Sequence, residues 1–173
     1  THDPPSADSS GNPGVFDDVV VGIFRTTEDG RYIYANHRLA ELYGYESPAR
    51  LIEAIGDIEG QLYVEPGQRD LFLTLIQQQG RIEQFESEIF RKDGSRIWIS
   101  ETARIVRDES GEALFYEGTV QDIAEQKGAE LELRRSEILF HSLVENLPQN
   151  IFRKDAAGRF TFANTRFCEE LGK

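Results

Sequence analysis

The chain has 173 residues, and its 19 basic and 31 acidic side chains give a net charge of −12 at pH 7. This excess of acidic groups opposes the neutralisation of phosphates, so we expect no nucleic-acid partner and no membrane contact by this segment. The single cysteine cannot form an internal disulfide, which favours a reducing, cytoplasmic location.

Two β-strands and a short helix are predicted near the start of the chain. Residues 1–14 are rich in Pro, Ser, Gly and Asp without apolar periodicity, and we expect a disordered tail there. Residues 22–27 and 31–35 flank an Asp-Gly pair, which predicts a β-hairpin. Asn36 is placed to begin a helix and Gly44 to end it.

Two further helices and three strands follow. Residues 51–58 and 69–79 are predicted as helices, the second with an apolar face. That face consists of Leu71, Phe72, Leu75 and Ile76. After Gly80 the apolar period changes to two, which predicts strands. They cover residues 85–89, 96–106 and 114–120. The order β-β-α-α-α-β-β-β predicts an α+β fold, a five-stranded antiparallel sheet with helices on one face.

A long connector helix is predicted from Ile123 to Leu147, where Pro148 ends it. One heptad interpretation places a seam along this helix, which predicts a parallel homodimer through the connector. The seam residues are Ala129, Leu133, Ser136, Phe140, Leu143 and Leu147.

The stretch from Ile23 to Gly44 is repeated without a gap from Ile151 to Gly172, at an offset of 128 positions. A period this long is typical of tandem whole domains, because solenoid repeats recur every 20 to 50 residues or so. We therefore expect a piece of a longer protein with four parts. They are a tail (1–14), a complete domain (15–127), a helical connector (128–147) and the truncated start of a second domain (148–173).

Four segments of the complete domain carry a family resemblance. They are GIFRTTEDGRYIYAN at 22–36, LYGY at 42–45, RKDGSRIWISETAR at 91–104 and YEGTVQDIAEQK at 116–127. In this order they resemble a PAS domain with its PAC segment. The resemblance implies the same order of strands and helices. It also implies a sensory module in a two-component or similar pathway, upstream of an output domain such as a histidine kinase or a diguanylate cyclase.

The junction between the last strand and the connector is also similar to that family, in which it reads Asp-Ile-Thr and ties the sheet to the helix. Asp122 and Ile123 match this pattern, whereas Ala124 replaces the Thr. The resemblance implies that the junction and the seam relay the signal. The relay residues are then Asp122, Ile123, Ala129, Leu133, Phe140 and Leu143.

The resemblance leaves the cofactor unknown, because PAS domains bind haem, flavin, small acids or no ligand. Haem in PAS sensors needs an axial ligand, usually His, on the helix before the third strand, and residues 66–80 contain no His. A flavin photosensor of the light-oxygen-voltage type needs a Cys beside the flavin, but Cys168 lies in the truncated repeat. Haem and a Cys-adduct flavin are therefore argued against, and no residues have the spacing of a metal site.

We predict a small cavity that binds a small organic ligand. Its apolar walls are Phe24, Tyr34, Leu42, Phe72, Ile76, Phe85 and Ile99, and its polar contact is Glu101 or Asn36. Alternation along residues 96–106 places Glu101 in an apolar row. This carboxylate is either a pocket group or a structural one, paired with an arginine such as Arg25 or Arg104 or turned outward by a bulge. Asn36 has the alternative role of a helix N-cap.

Three functions remain open at this point. The first is a sensory module that relays its state through a coiled-coil helix, and the second is a ligand-free dimerisation scaffold. The third is a small cone-shaped enzyme that uses Glu101 as a general base. The chain has no phosphate loop and no nucleophile elbow. We therefore expect a sensory module and no enzyme in this segment.

Overall fold

The computed structural model describes residues 20–172, so the predicted tail over residues 1–14 lies outside the described residues. The chain divides into two compact units, the first ending at Ala124 and the second beginning at Glu125. The elements of the first unit are β1 (Gly22–Thr26), β2 (Tyr32–Ala35), α1 (His37–Tyr43), α2 (Pro48–Ala54), α3 (Ile58–Gln61), α4 (Gln68–Gln79), β3 (Arg81–Phe90), β4 (Arg96–Arg107) and β5 (Ala113–Asp122). They are followed by α5 (Ala124–Asn146), β6 (Phe152–Lys154), β7 (Phe160–Ala163) and α6 (Thr165–Glu170).

The five strands of the first unit form one antiparallel sheet in the order β2-β1-β5-β4-β3. The helices α1 to α4 connect the two edge strands, and they contact the sheet from α1 to β1, from α2 to β2 and from α4 to β3. The predicted α+β fold is confirmed. Its three hairpin turns contain Gly30, Gly94 and Gly111, which adopt φ angles of 81°, 80° and 89° that favour glycine.

The helix predicted over residues 51–58 is instead two shorter helices. α2 begins one residue after Ser47, whose hydroxyl caps the helix. Ile55 leaves the helical conformation with φ −94° and ψ 89°, and the carboxylate of Asp57 caps α3. The apolar pattern suggested one continuous helix, whereas two capping side chains define two.

The core of the first unit lies between the helices and one face of the sheet. The alternation predicted for β4 is confirmed, because every second side chain is buried. The buried ones are Ile97, Ile99, Glu101 and Ala103, and the exposed ones include Trp98, Thr102 and Arg104. β3 alternates in the same way, with Phe85, Ser87 and Ile89 buried. A carboxylate therefore points into an otherwise apolar layer.

One predicted cavity residue, Tyr34, lies on the other face of the sheet. A β-bulge between β1 and β2 makes Tyr34 the partner of Arg25 and Tyr32 the partner of Thr26, so Ile33 is the extra residue. The bulge reverses the alternation after Ile33. Tyr34 therefore faces outward, 37% exposed, with its ring 5.9 Å from the guanidinium of Arg25. Tyr32 is the buried tyrosine of this strand.

The second unit repeats the first hairpin in structure as well as in sequence. β6 and β7 pair with a register shift at the position that corresponds to the bulge between β1 and β2. The side-chain oxygen of Asn164 accepts hydrogen bonds from the N–H groups of Ile151 at 3.0 Å and Phe167 at 3.2 Å. Asn36, 128 positions earlier, makes the corresponding bonds in the first unit.

Candidate functional site

Glu101 lies on the inner face of β4 and is 4% exposed. The hydroxyl of Tyr63 donates a hydrogen bond to Glu101 Oε2 at 2.9 Å. Tyr63 follows α3 and is held beside the sheet by a β-bridge to Ile89 of β3. The carboxyl group is therefore buried and bound to a neutral partner.

The pairing of Glu101 with Arg25 or Arg104 is wrong. Arg25 and Arg104 lie on the outer face of the sheet, where both bind Glu117 with N–O distances of 3.1 Å and 2.6 Å. Glu101 pairs in register with Val120 of β5, so no bulge turns it outward. Glu101 is therefore an interior carboxyl group, hydrogen-bonded to Tyr63 and close to the charge of Arg69.

Arg69 is the second charged residue in the interior, at 5% exposed. It lies in the first turn of α4, and its guanidinium carbon is 5.2 Å from the centre of the Phe72 ring and 6.0 Å from that of Tyr116. Its Nε and Nη2 atoms are buried without a hydrogen-bond partner. Buried charges are normally paired, so this side chain is unusual.

Tyrosine hydroxyls surround these two charged residues. Tyr32, Tyr43 and Tyr63 interact electrostatically with Glu101, and Tyr32 and Tyr63 also with Arg69. The hydroxyl of Tyr43 interacts with that of Tyr32, whereas that of Tyr116 forms no hydrogen bond. We call these six residues the interior polar cluster: Tyr32, Tyr43, Tyr63, Arg69, Glu101 and Tyr116.

Burial sets the charge of this cluster. It raises the pKa of Glu101 from 4.5 to about 7, although the hydrogen bond from Tyr63 and the charge of Arg69 act in the opposite direction. Burial also raises the pKa of Tyr32, Tyr43 and Tyr63, so these hydroxyls stay neutral. Below about pH 7 the cluster therefore carries the charge of Arg69 alone.

Most of the predicted cavity walls are buried in the first unit. They are Phe24, Leu42, Phe72, Ile76, Phe85 and Ile99. Phe72 and Phe85 contact each other edge to face, with ring centres 5.5 Å apart. Of the predicted apolar face of α4, Leu71 is exposed, because the buried stripe follows Arg69, Phe72 and Ile76 instead.

Asn36 is buried, and its side chain forms hydrogen bonds with backbone groups. Its Oδ1 accepts hydrogen bonds from the N–H groups of Ile23 at 2.8 Å and Leu39 at 3.0 Å, and its Nδ2 donates to the carbonyl oxygen of Val21 at 3.1 Å. Asn36 thus caps α1 and joins this helix to β1. The N-cap alternative accounts for its position, and we assign it no role toward a ligand.

Replacement of Asn36 by Ala is expected to lower the free energy of unfolding by about 1–3 kcal/mol, because buried backbone groups lose their partners. Denaturant unfolding followed by circular dichroism measures the change. His37→Ala, one residue away at an exposed position, is the matched control and should have little effect. Equal losses in both variants would contradict the structural role of Asn36.

A wide concavity of about 800 Å³ is lined largely by outward-facing side chains of the sheet, away from Glu101. Its lining includes Arg25, Tyr34, Arg104 and Glu117. The charged groups there are already paired, since both arginines bind Glu117. The interior polar cluster, with its unpaired groups, is the stronger candidate for a ligand site.

The junction between β5 and α5 is tied together at Asp122. Its Oδ1 accepts a hydrogen bond from the N–H of Ala124 at 2.8 Å, and its Oδ2 lies 3.7 Å from Nη2 of Arg91. The N–H of Ile123 donates to the carbonyl oxygen of Trp98 at 3.0 Å. The donor in the hydrogen bond to Asp122 is the backbone N–H of Ala124. This bond therefore forms although Ala replaces the Thr of the family pattern.

The predicted seam of α5 is exposed along its whole length. Leu133 and Phe140 are 62% and 65% exposed. Leu131 and Ile138 are exposed too, but they lie elsewhere on the helix, since two residues turn an α-helix by about 200°. The helix therefore presents one apolar seam and a shorter second row.

The sequence offers few other candidates for chemistry. His37 and His141 are exposed, and Cys168 is partly buried in the second unit. Across residues 20–172, no group of three or more His, Cys, Asp and Glu side chains could hold a metal ion. Within the same range, none of the helices combines the length and apolar character needed to cross a bilayer.

Most residues of the interior polar cluster could not be predicted from the sequence. Tyr63 lies in a loop, Arg69 on a helix and Tyr116 on a strand, and nothing in the linear pattern brings them together. One signal was present for Arg69, because it precedes Phe72 and Ile76 at the spacing of one helix face. A positive charge on an apolar helix stripe is a hint of an interior role.

Comparison with known families now identifies the class of this chain. A model for the PAS domain matches residues 19–125, and a second PAS domain model matches residues 138–173. The chain belongs to the PAS domain family, and this segment is a sensory domain with a non-catalytic fold. No curated protein matches the chain.

Solved structures support the same fold. The PAS domain of a protein from Colwellia psychrerythraea has a TM-score of 0.55 and 26% identity, and the match covers 64% of this chain and 92% of that chain. A sensory box histidine kinase/response regulator from Burkholderia thailandensis E264 has a TM-score of 0.55 and 18% identity, with coverage of 70% and 91%. A PAS domain from a two-component sensor histidine kinase has a TM-score of 0.52 and 14% identity, with coverage of 64% and 91%.

Proposed function

We propose that this chain is a cytoplasmic signal-transduction module. In this proposal a small organic ligand binds in the first unit, and α5 relays its state as part of a parallel homodimer. The output is a downstream domain such as a histidine kinase or a diguanylate cyclase, as the PAS resemblance implies.

The unsatisfied polar groups of the interior carry the ligand part of the proposal. Nε and Nη2 of Arg69 and the hydroxyl of Tyr116 are buried without partners. Each such group costs about 1–3 kcal/mol when it is left unpaired. An interior built for stability alone has few of them, whereas a ligand or bound water can satisfy several at once.

The relay part of the proposal rests on the junction and the seam. Asp122 and Ile123 fix the start of α5 to β4 and β5 through the bonds described above. A change inside the sheet therefore has a direct route to the helix. The exposed seam of α5 gives a second copy of the chain a surface on which to pack.

A ligand-free dimerisation scaffold is the second candidate, because the exposed seam suits it equally well. The enzyme hypothesis is not pursued, since the PAS fold is non-catalytic. In this proposal Glu101 contacts a ligand and is no general base.

Native mass spectrometry of the purified 173-residue chain distinguishes the two candidates. We expect a dimer that carries an additional small mass, which denaturation releases for identification by liquid chromatography. A dimer without any bound small molecule, even after purification from fresh lysate under mild conditions, would favour the scaffold. A Soret band in the same sample would contradict the argument against haem.

A further inference from the structure

Arg69 has an unusual combination of burial and missing partners. The side chain is 5% exposed, yet Nε and Nη2 form no hydrogen bond. Several exposed arginines of the first unit bind carboxylates, as Arg50 does with Glu53 at 2.8 Å and Arg104 with Glu117 at 2.6 Å. Among the arginines of the described residues, the interior Arg69 has two buried nitrogens without a hydrogen-bond partner, whereas Arg91 has one.

The two unpartnered nitrogens lie on the same edge of the guanidinium plane. Nε–H and one N–H of Nη2 point in parallel, at the spacing of the two oxygens of a carboxylate. A single carboxylate can therefore satisfy both donors at once. A neutral amide has one oxygen and no full negative charge, so it matches the two parallel N–H groups less well than a carboxylate.

The charge of the interior polar cluster favours the same ligand. Tyr32, Tyr43 and Tyr63 are neutral, and Glu101 is largely neutral below about pH 7. A buried cation without a counter-charge is costly. An anion placed beside Arg69 removes that cost, and a neutral ligand does not.

The surroundings of Arg69 favour an organic anion over an inorganic one. The rings of Phe72 and Tyr116 lie 5.2 Å and 6.0 Å from its guanidinium carbon, and Phe85 contacts Phe72. An apolar body attached to the carboxylate can pack against these rings. Phosphate and sulfate have no apolar body, and their burial would remove hydration water at a high cost in free energy.

We propose that Arg69 binds the carboxylate of a small organic acid through Nε and Nη2, inside the first unit. This inference rests on the proposed sensory function and specifies the chemistry of its ligand. The hydroxyl of Tyr116 and the carboxyl group of Glu101 provide further hydrogen bonds to the bound acid.

The test uses the full chain after dialysis from denaturant, which removes any ligand retained during purification. Thermal unfolding is measured with acetate, propionate, butyrate, hexanoate and benzoate at equal ionic strength, each beside its neutral amide. We expect at least one carboxylate to raise the melting temperature with saturation, while its amide has no effect. Inorganic phosphate serves as the probe for a bare anion.

Arg69→Met removes the guanidinium, and we expect it to abolish the response to the carboxylate. The ligand-free variant should be at least as stable as the wild type, because it loses an unpaired buried charge. Arg69→Lys keeps the charge but not the paired donors, and its response should be weaker. The matched control is Arg50→Met, which removes an exposed arginine of α2 and should respond like the wild type.

The outcomes separate this inference from the function on which it rests. Equal shifts from carboxylates and their amides would overturn the role of Arg69 and leave an interior ligand site in place. A response that persists in Arg69→Met, or an equal response to phosphate, would also overturn it. If native mass spectrometry shows no bound molecule and no carboxylate raises the melting temperature, both the inference and the proposed ligand binding fail.

Discussion

Glu101→Gln is expected to make the protein more stable than the wild type at about pH 8 and to leave its stability nearly unchanged at about pH 5. The reason is the burial of Glu101, which raises the pKa of this carboxyl group to about 7. At the lower pH the group is neutral, as Gln is. At the higher pH the wild type must hold a carboxylate in the interior.

The sign follows from the number of bound protons. Between pH 4.5 and about 7 the folded protein keeps a proton that the unfolded chain has released. The contribution of Glu101 to the free energy of unfolding is therefore fully present below pH 4.5 and is lost as the pH rises through about 7. The difference between these two pKa values corresponds to about 3 kcal/mol.

Thermal unfolding of the wild type and Glu101→Gln at several pH values measures this effect. The gap between their melting temperatures should grow by on the order of 10 °C between the acidic and the alkaline end. Comparison of the two proteins at each pH cancels the titration of the other carboxylates. Glu86→Gln, at an exposed position of β3, is the control and should show no comparable change.

Glu101→Ala adds a second observation. It leaves the hydroxyl of Tyr63 without its partner, at a cost of about 1–3 kcal/mol. The loss should appear at acidic pH as well, where Gln is tolerated. A gap between wild type and Glu101→Gln that does not depend on pH would mean that the carboxyl group is hydrated, which contradicts its position in the structure.

Leu133→Asp and Phe140→Asp are each expected to convert the proposed dimer to a monomer. Both residues are exposed on the predicted seam of α5, at 62% and 65%. In a parallel pair, a carboxylate on the seam would lose its hydration and would face the same carboxylate of the second copy. Both the lost hydration and the charge repulsion destabilise the pair. Sedimentation velocity over a range of micromolar concentrations measures the change.

Leu131→Asp provides a close control for the seam. Leu131 is 51% exposed on the same helix, but it lies about 200° around the axis from Leu133. The substitution changes the charge and the apolar surface equally and should leave the dimer intact. A wild type that remains monomeric, or equal effects of all three substitutions, would remove the seam from the proposed relay.

The sequence by itself determined the hairpins, the strand alternation and the repeat of this protein. Asp-Gly and Gly turns between β-prone runs gave the hairpins, because glycine adopts positive φ without strain. Alternation along β4 placed Glu101 inside, because side chains of a strand point to opposite faces in turn. The repeat from Ile23 at Ile151 predicted a second hairpin, which the structure contains with the same asparagine cap.

Local exceptions to these patterns could not be predicted from the sequence. The bulge at Ile33 moved Tyr34 to the outer face, since one extra residue reverses the alternation of a strand. Ser47 and Asp57 divided one predicted helix into two, because a side-chain cap overrides a continuous apolar pattern.

Only the tertiary structure decided the composition of the candidate site. Arg69 lies on one helix, Glu101 and Tyr116 on two strands, and Tyr63 in a loop. Their proximity depends on how the helices pack across the sheet. The same packing gives Glu101 its raised pKa, because burial is a property of the assembled core. Linear patterns specify which face a residue takes, and the three-dimensional packing specifies which residues meet there.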